Sequence, residues 1–484
     1  MKYVFFHHEM YPLPIAYHLM NEGREVLVGT IDSHDDLGIP GDKDEETEEE
    51  KEQRMSVYDG LLDKMTAEDL MDYLESVPDG EKDGYFFFFD FNDLYPISEQ
   101  VMEMGFTKGL FPTEEHFQME KDRDKAKEYV KKNYPLVKVA ESNDFKDVEE
   151  GLEFLADTDD VYVLKSNGNV GKTVVPNTDD PEVGKKMLAN ALEKERENYE
   201  QAGFILEKKI LNYMEISPCM LFWNGKPICS LAEFENKEFG AGNIGVQKGG
   251  NQNLSVRTDL DSYINEIAFP KAAMDYAAKQ KGLYLADAGL LYDGKDFYFT
   301  EFCGNRFGWC GVFAEMSMRE DGKPFVAKFF EDIMKGRSPL VNKYGTSLRL
   351  FNLEGKYEIT EESKDDQLVF WDKGAENNFF AYRIKEGEDG FCTVGGLDLL
   401  GAITAGGNDI KSTVDKLYER AEKVHFEKKY HRPEFDFLSK DYPTSIMNRY
   451  EALRPFLLPK KKYGEYSRLK RMKAPKEALE RMLA

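Results

Sequence analysis

The sequence is poor in the residues that mark small disulfide-stapled or zinc-stapled domains. Five cysteines are spread over 484 residues, and tryptophan occurs only three times. No two cysteines form a Cys-x-x-Cys pair, and their number is odd. This pattern excludes a disulfide-stapled module and disfavours structural zinc of the usual spacing. We therefore expect reduced thiols in a cytoplasmic compartment.

Positive charge and long apolar runs are also scarce. The chain has 64 basic and 91 acidic residues, a formal net charge of −27, so its surface repels nucleic acid and anionic membranes. The longest aromatic run, Tyr85 to Phe89, is far too short to span a membrane, and the N-terminus has no long apolar core. We expect a soluble monomer or homodimer that acts on small molecules, with no nucleic-acid or membrane partner.

The composition predicts a packed multidomain protein. Hydrophobic residues make up 41% of the chain, too many for a disordered acidic protein. At roughly 150 residues per domain, the length suggests about three domains. Changes in pattern place the domains at 1–111, 112–335 and 336–432, followed by a basic extension at 433–484. Its basic run, Lys460 to Lys473, is predicted to be a solvated terminal helix or tail, or to bind an acidic partner or phosphate.

A strand, a helix and a second strand open the chain. Tyr3 to Phe6 and Glu25 to Gly29 have strand character, and a helical pattern runs from Pro14 to Asn21 between them. This β-α-β order predicts an α/β fold that begins with an open parallel sheet. Tyr85 to Asp90 is predicted to be a buried strand, whereas the polar, glycine-rich stretch Gly240 to Asn253 has the character of a loop.

Two lysines and a glycine-bearing loop lie in the segment 163–175. Lys165 ends a predicted strand, and Gly168, Gly171 and Lys172 follow in the loop that leads to the next strand. Two cations and exposed backbone N–H groups suit a polyphosphate. The spacing is not that of a Walker A loop, because Gly171 follows Gly168 at only the third position. A simple β-turn is the alternative interpretation.

A second segment has the spacing of a nucleoside-binding hinge. The predicted strand around 204–210 contains Glu207, Lys209 and Ile210, and it precedes Glu215. This spacing lets the connecting segment offer backbone groups to an adenine ring while Glu215 accepts hydrogen bonds from ribose hydroxyls.

Oxygen ligands and an arginine stand together at the end of the hairpin 289–308. Glu301 and Asn305 carry the hard oxygen ligands that Mg²⁺ bridging nucleotide phosphates prefers. Arg306 follows at once, and its rigid fork suits a carboxylate. A structural salt bridge is the alternative role for Arg306.

Taken in order, these segments resemble the ATP-grasp ligases, and among them the glycinamide ribonucleotide synthetases (phosphoribosylamine–glycine ligases). The resemblance covers about residues 112–432 and implies an ATP-grasp fold with an N-terminal pre-grasp domain, a small mobile lobe at about 136–206 and a small C-terminal domain. It implies that the residues that bind ATP are Arg123, Lys165, Gly168, Gly171, Lys172, Glu207, Lys209, Ile210 and Glu215.

The resemblance also implies a metal site and a reaction. Glu301 and Asn305 would hold Mg²⁺ or Mn²⁺. Asp287 is a candidate substitute ligand, because it shares a strand face with Gly289, where many of these enzymes carry a metal carboxylate. Lys172 and Arg306 would be catalytic. A substrate carboxylate would attack ATP to give an acyl phosphate and ADP, and an amine would then displace phosphate to form an amide.

Three departures from the family pattern concern the substrate ends of the site. The segment Phe6 to Pro12 lacks the glycines that let a backbone approach a ribose phosphate. Cys303 and Gly304 interrupt the metal motif, and Trp309 to Val312 replaces an acidic segment. We therefore expect a carboxylate–amine ligase with an altered substrate. The alternatives are a genuine phosphoribosylamine–glycine ligase of purine biosynthesis and a nucleotide-binding protein without turnover.

Two histidines follow the first strand. His7 and His8 point to opposite faces if the strand continues through them, which disfavours a shared metal. Ligands usually bind at this end of an α/β sheet, so contact with the acceptor substrate is a better functional interpretation than a metal site, and the role of His7 and His8 stays open.

Overall fold

The structure is a computed structural model that describes residues 1–32, 47–166, 173–304, 307–308, 310–352, 366–395, 399–440, 442 and 445–483, without the side chains of Glu49, Val246 and Cys310. The described chain forms two compact units. The first comprises Met1–Ala126, Glu215–Gly289 and Glu301–Ala484, and the second comprises Lys127–Met214 and Leu290–Thr300.

The strands, in chain order, are β1 Lys2–His7, β2 Glu25–Thr30, β3 Lys64–Thr66, β4 Tyr85–Phe89, β5 Val137–Val139, β6 Ser142–Phe145, β7 Tyr162–Ser166, β8 Phe204–Lys208, β9 Met214–Trp223, β10 Lys226–Gly240, β11 Ile244–Thr258, β12 Leu283–Asp287, β13 Leu290–Tyr292, β14 Phe297–Phe299, β15 Tyr344–Asn352, β16 Phe370–Trp371, β17 Phe379–Ala381, β18 Ile384–Gly387, β19 Gly390–Thr393, β20 Leu399–Gly407, β21 Val424–His425 and β22 Lys429–Tyr430. The helices are α1 Leu13–Asn21, α2 Glu48–Ser56, α3 Ala67–Glu75, α4 Tyr95–Glu103, α5 Glu114–Lys121, α6 Arg123–Asn133, α7 Val148–Asp157, α8 Pro181–Lys194, α9 Arg196–Ala202, α10 Tyr263–Ala268, α11 Lys271–Ala277, α12 Cys310–Ser317, α13 Val326–Met334, α14 Ile410–Glu422, α15 Phe435–Leu438, α16 Ile446–Leu453, α17 Lys460–Arg471 and α18 Lys476–Leu483.

The first unit begins with the predicted open parallel sheet. Its strand order is β3-β2-β1-β4, and each neighbouring pair is parallel. The aromatic run of β4 is buried along its whole length, and Phe88 stacks on Phe5 of β1 at 4.5 Å between ring centroids. A strand of such continuous apolar character fits a sheet that is covered on both faces.

A large antiparallel sheet forms the rest of the core of the first unit. Strands β17, β20, β15, β11, β10 and β9 pair in that order, and β12 also pairs with β9. A turn at Asn224-Gly225 joins β9 to β10, and both residues have the positive φ that such a tight hairpin requires. The stretch Gly240 to Asn253 was expected to be a loop, but most of it lies in β11, where it pairs with β10 and β15.

The second unit is built around a three-stranded antiparallel sheet of order β6-β8-β7. Helices α7, α8 and α9 cover it, and their core includes Leu155, Leu188, Tyr199, Phe204 and Leu206. The unit also contains the predicted hairpin β13–β14, whose outer strand pairs in parallel with β5. Helices α8 and α9 follow each other closely and are divided at Glu195, the residue between them.

The basic C-terminal extension is helical over its last part. Helices α17 and α18 contain no buried residue, which agrees with the prediction of a solvated terminal helix. None of the helices within the described ranges is long and apolar enough to cross a bilayer.

Candidate functional site

Two lysines converge on one carboxylate in the second unit. The Lys165 ammonium lies 2.5 Å from Glu207 Oε1, and the Lys127 ammonium lies 2.5 Å from Glu207 Oε2. The exposed fractions of the side chains are 5% for Lys127, 15% for Lys165 and 14% for Glu207. A carboxylate between two cations in such a buried place leaves one positive charge in excess (2 − 1 = +1).

Strand register explains the pair on the sheet. Lys165 of β7 lies opposite Ile205 of β8, and Glu207 is two residues further along β8. Because residues two apart on a strand share a face, the ammonium and the carboxylate meet on one side of the sheet. Burial alone would raise the pKa of the Glu207 carboxyl, but Lys165 and Lys127 outweigh this effect and hold the pKa below its usual value.

Lys127 is a residue that sequence reasoning missed. The sequence pointed to Arg123 as the phosphate-binding residue of this helix, and Arg123 is exposed at the start of α6. Lys127, one turn later, is 4% exposed. The sequence did contain a sign that Lys127 is buried. Lys127 follows Ala126, and Ala126 and Val130 are four residues apart and form the buried stripe of the helix.

The other nucleotide residues predicted in this part of the chain have different outcomes. Lys209 uses its ammonium to donate hydrogen bonds to the carbonyls of Pro176 and Thr178 and to Asp179, so its side chain fastens the segment after β7. Ile210 is partly buried just beyond β8. The predicted residues Gly168, Gly171 and Lys172 lie outside the described residues.

The first unit brings a second set of predicted residues together. The Lys237 ammonium lies 2.7 Å from Glu215 and 3.1 Å from Glu235. Burial alone would lower the pKa of Lys237, but Glu235, Glu215 and Glu301 together raise it well above its usual value. The predicted ribose carboxylate Glu215 and the predicted metal ligand Glu301 therefore act on the same lysine.

The structure describes only some of the remaining residues that were predicted to bind metal or to be catalytic. Glu301 is exposed, whereas Asn305 and Arg306 lie outside the described residues. Asp287 ends β12, and its Oδ2 atom lies 3.4 Å from the sulfur of Cys219. Its role as a metal ligand stays a prediction.

The carboxyl edge of the parallel sheet is arranged differently from a phosphate cradle. The carboxyl of Asp90, just beyond β4, accepts hydrogen bonds from the backbone N–H groups of His8 and Glu9 at 2.9 and 2.5 Å. Burial raises the pKa of Asp90 well above its usual value. His7 is buried, contacts Thr30 Oγ1 at 3.0 Å, and has its pKa lowered to about 3 by burial. His7 is therefore a neutral core histidine.

The sequence matches no protein-family profile and no curated protein at a significant level. The structure is similar to several solved ones. Phosphoribosylamine–glycine ligase from Thermotoga maritima superposes with a TM-score of 0.60 at 16% identity, over 90% of this chain and 100% of that one.

Two biotin carboxylase structures are similar as well. The biotin carboxylase of Campylobacter jejuni, solved as a β,γ-ATP complex, has a TM-score of 0.55 at 13% identity over 92% of this chain and 95% of its own. The biotin carboxylase domain of the 2-oxoglutarate carboxylase of Hydrogenobacter thermophilus has a TM-score of 0.57 at 14% identity, covering 94% and 98%. The chain has the ATP-grasp fold that its sequence predicted, and it resembles phosphoribosylamine–glycine ligase in that fold.

Proposed function

We propose that the protein is an ATP-dependent ligase that joins a carboxylate to an amine. The observation that carries the proposal is the buried group of Lys127, Glu207 and Lys165 in the second unit. Two ammonium groups beside one largely buried carboxylate stand out in a chain of net charge −27. A nucleotide fits this group, because phosphate oxygens are the acceptors that paired ammonium groups bind.

The fold supports the same ligand. The solved structures with this fold include the ATP complex of one biotin carboxylase and the MgADP complex of another. For this chain we propose that Lys165 and Lys127 neutralise phosphate charge and that Glu215 accepts hydrogen bonds from the ribose. Gly168, Gly171 and Lys172 would cover the phosphates, and the backbone around Lys209 and Ile210 would face the adenine.

Magnesium is the metal that the nucleotide would bring. Glu301, with Asn305 and Asp287 as further candidates, offers the oxygen ligands that Mg²⁺ prefers. The ion would offset charge on the phosphates, whereas Arg306 would hold the substrate carboxylate or the acyl phosphate. Most of the rate enhancement would come from positioning and charge neutralisation, since phosphoryl transfer needs little covalent help from the protein.

The N-terminal sheet supports an altered acceptor. A ribose phosphate would need free backbone N–H groups after β1, but those of His8 and Glu9 already donate to Asp90. The segment also lacks the glycines that allow close approach. We therefore propose an amine acceptor without a phosphate group, rather than phosphoribosylamine.

The test is ADP release by the purified chain with Mg·ATP and a panel of carboxylates and amines. We expect ADP only when one acid and one amine are both present, together with an amide detected by mass spectrometry. Turnover with glycine and phosphoribosylamine would restore the purine assignment. Binding of ATP without turnover on a broad panel would favour the non-catalytic alternative.

A further inference from the structure

The first unit contains a group of acidic and thiol side chains between its antiparallel sheet and helix α12. Cys219 lies on β9, Glu233 on β10 and Glu315 on α12. One ligand atom of each lies within 4.8 Å of those of the other two. We call these three residues the Cys219 cluster.

The sheet register aligns the donors on one face. Cys219 pairs directly with Leu231, and Glu233 is two residues further along β10. Asp287 pairs directly with Cys219 from the other side, on β12. Because side chains alternate along a strand, the thiol and the carboxyls of Glu233 and Asp287 project to the same side.

The helix supplies the remaining donor and the space for it. Glu315 and Gly311 are four residues apart, so they share a face of α12. A Cβ atom at Gly311 would lie 2.8 Å from both carboxylate oxygens of Glu233. Only glycine therefore lets the helix come this close to Glu233.

The burial and the hydrogen bonding of the Glu315 carboxyl point to a bound ligand. Its side chain is 1% exposed, and its Oε2 atom has no hydrogen-bond partner among the residues that the structure describes. Glu233 accepts one hydrogen bond, from Ser255 at 2.8 Å. Among the described residues, no lysine or arginine forms an ion pair with either glutamate. Buried carboxylates in this state are costly unless they are protonated or bind a cation.

We propose that Cys219, Glu233 and Glu315 bind a divalent transition-metal ion, with Zn²⁺ as the ion that the donors fit best. Zn²⁺ accepts both thiolate and carboxylate ligands, whereas Mg²⁺ prefers oxygen ligands. Asp287 Oδ2 lies 3.4 Å from the sulfur of Cys219, but this carboxyl stays a candidate ligand of the nucleotide-bound ion and is not counted in the cluster. This site is distinct in its chemistry from the nucleotide-bound magnesium proposed above.

Burial and the neighbouring acids favour the protonated carboxyls of the cluster, and they raise the pKa of Glu233 to about 8 and that of Glu315 well above its usual value. A bound ion would take the place of the protons on the thiol and on the two carboxyls.

The test is metal binding by the full chain after treatment with a chelator, without nucleotide. We expect one equivalent of Zn²⁺ per chain by elemental analysis. We also expect Co²⁺ to give the near-ultraviolet thiolate-to-metal absorption. Cys219→Ser should abolish this band, and Glu315→Gln should weaken Co²⁺ binding at least tenfold.

A buried cysteine elsewhere provides the matched control. Cys392 is also buried and carries a free thiol, so Cys392→Ser should leave the band and the stoichiometry unchanged. The absence of stoichiometric metal, or a band that survives in Cys219→Ser, would overturn the proposal and leave two carboxyls that share a proton. Circular dichroism of each variant checks that it folds. Since the assay contains no ATP, its failure is separate from a failure of the ligase proposal.

Discussion

The ammonium of Lys237 lies 2.7 Å from the carboxylate of Glu215 and acts as its partner on the antiparallel sheet. Glu235, on the same strand as Lys237, shares the cation at 3.1 Å. Two carboxylates that would otherwise repel each other are thus held beside one lysine.

Replacing Lys237 by methionine should destabilise the first unit. The change leaves Glu215 and Glu235 close together without a cation, and removal of one partner from a largely buried ion pair costs about 2 to 3 kcal/mol. Urea unfolding of Lys237→Met and of Lys226→Met, an exposed lysine on the same strand, measures the difference. Equal stability of the two variants would contradict the role given to Lys237.

Replacing Glu207 by glutamine should destabilise the second unit in a way that ATP reduces. The variant leaves Lys127 and Lys165 without their carboxylate, at a cost of about 3 kcal/mol. Bound phosphates would neutralise the lysines, so saturating Mg·ATP should recover more stability in the variant than in the native chain.

The control for this change is Glu149→Gln in the same unit. Glu149 pairs with Arg196 at the surface, where its side chain is 67% exposed, and a surface pair contributes less than about 1 kcal/mol. Urea unfolding with and without nucleotide measures both variants. A loss in Glu207→Gln no larger than that in Glu149→Gln would rule out the buried triad.

Three buried histidines should make acid unfold the first unit. Burial lowers the pKa of His7 to about 3 and those of His18 and His116 to about 4. Between pH 6.5 and 4, these histidines therefore bind more protons in the unfolded chain than in the folded chain. Each histidine then removes stability as the pH falls through this window, by up to about 1.4 kcal/mol per pH unit.

His18 offers the cleanest test of this dependence, because within the described part of the chain its ring forms one hydrogen bond, with the Phe379 carbonyl at 3.0 Å. The stability of His18→Gln should fall less steeply between pH 6.5 and 4 than that of the native chain. The difference is measured by urea unfolding at each pH. Parallel pH profiles would show that His18 is protonated in the folded state.

Two glycines in helices should respond in opposite ways to alanine. At Gly311 the added Cβ would meet the Glu233 carboxylate at 2.8 Å, and we expect a loss of about 1 to 3 kcal/mol. At Gly464, within α17, a Cβ meets nothing within 4 Å, so alanine should stabilise by up to about 1 kcal/mol. Thermal unfolding of both variants measures the contrast, and a stabilised Gly311→Ala would disprove the close packing on Glu233.

The features of the fold that were predicted from the sequence are those that depend on local periodicity. The β-α-β opening and the hairpin of β13 and β14 follow from strand alternation and glycine position. Lys165 and Glu207 were predicted only as separate nucleotide-binding residues, and their ion pair is a finding of the structure. The strand β11 was not predicted, because it is rich in glycine and amide residues, which are uncommon in strands. Its pairing with β10 and β15 is set by tertiary structure.

The residues missed come from elements that are distant along the chain. Lys127 reaches Glu207 from a helix 80 residues earlier in the sequence (207 − 127 = 80). Cys219, Glu233 and Glu315 come from two strands and a helix. No spacing in the sequence predicts the Lys127–Glu207 pair or the Cys219 cluster, because only the fold brings these residues together.

The most direct test of the account is the affinity of Mg·ATP for Lys165→Met and Lys127→Met, measured by titration calorimetry. Lys125→Met is the control, because Lys125 is exposed on the same helix as Lys127. The account predicts that each of the first two variants binds at least about tenfold more weakly, since a lost charge-assisted hydrogen bond costs about 1.5 kcal/mol or more. Native affinity in both, with the variants folded, would contradict a phosphate site at Glu207.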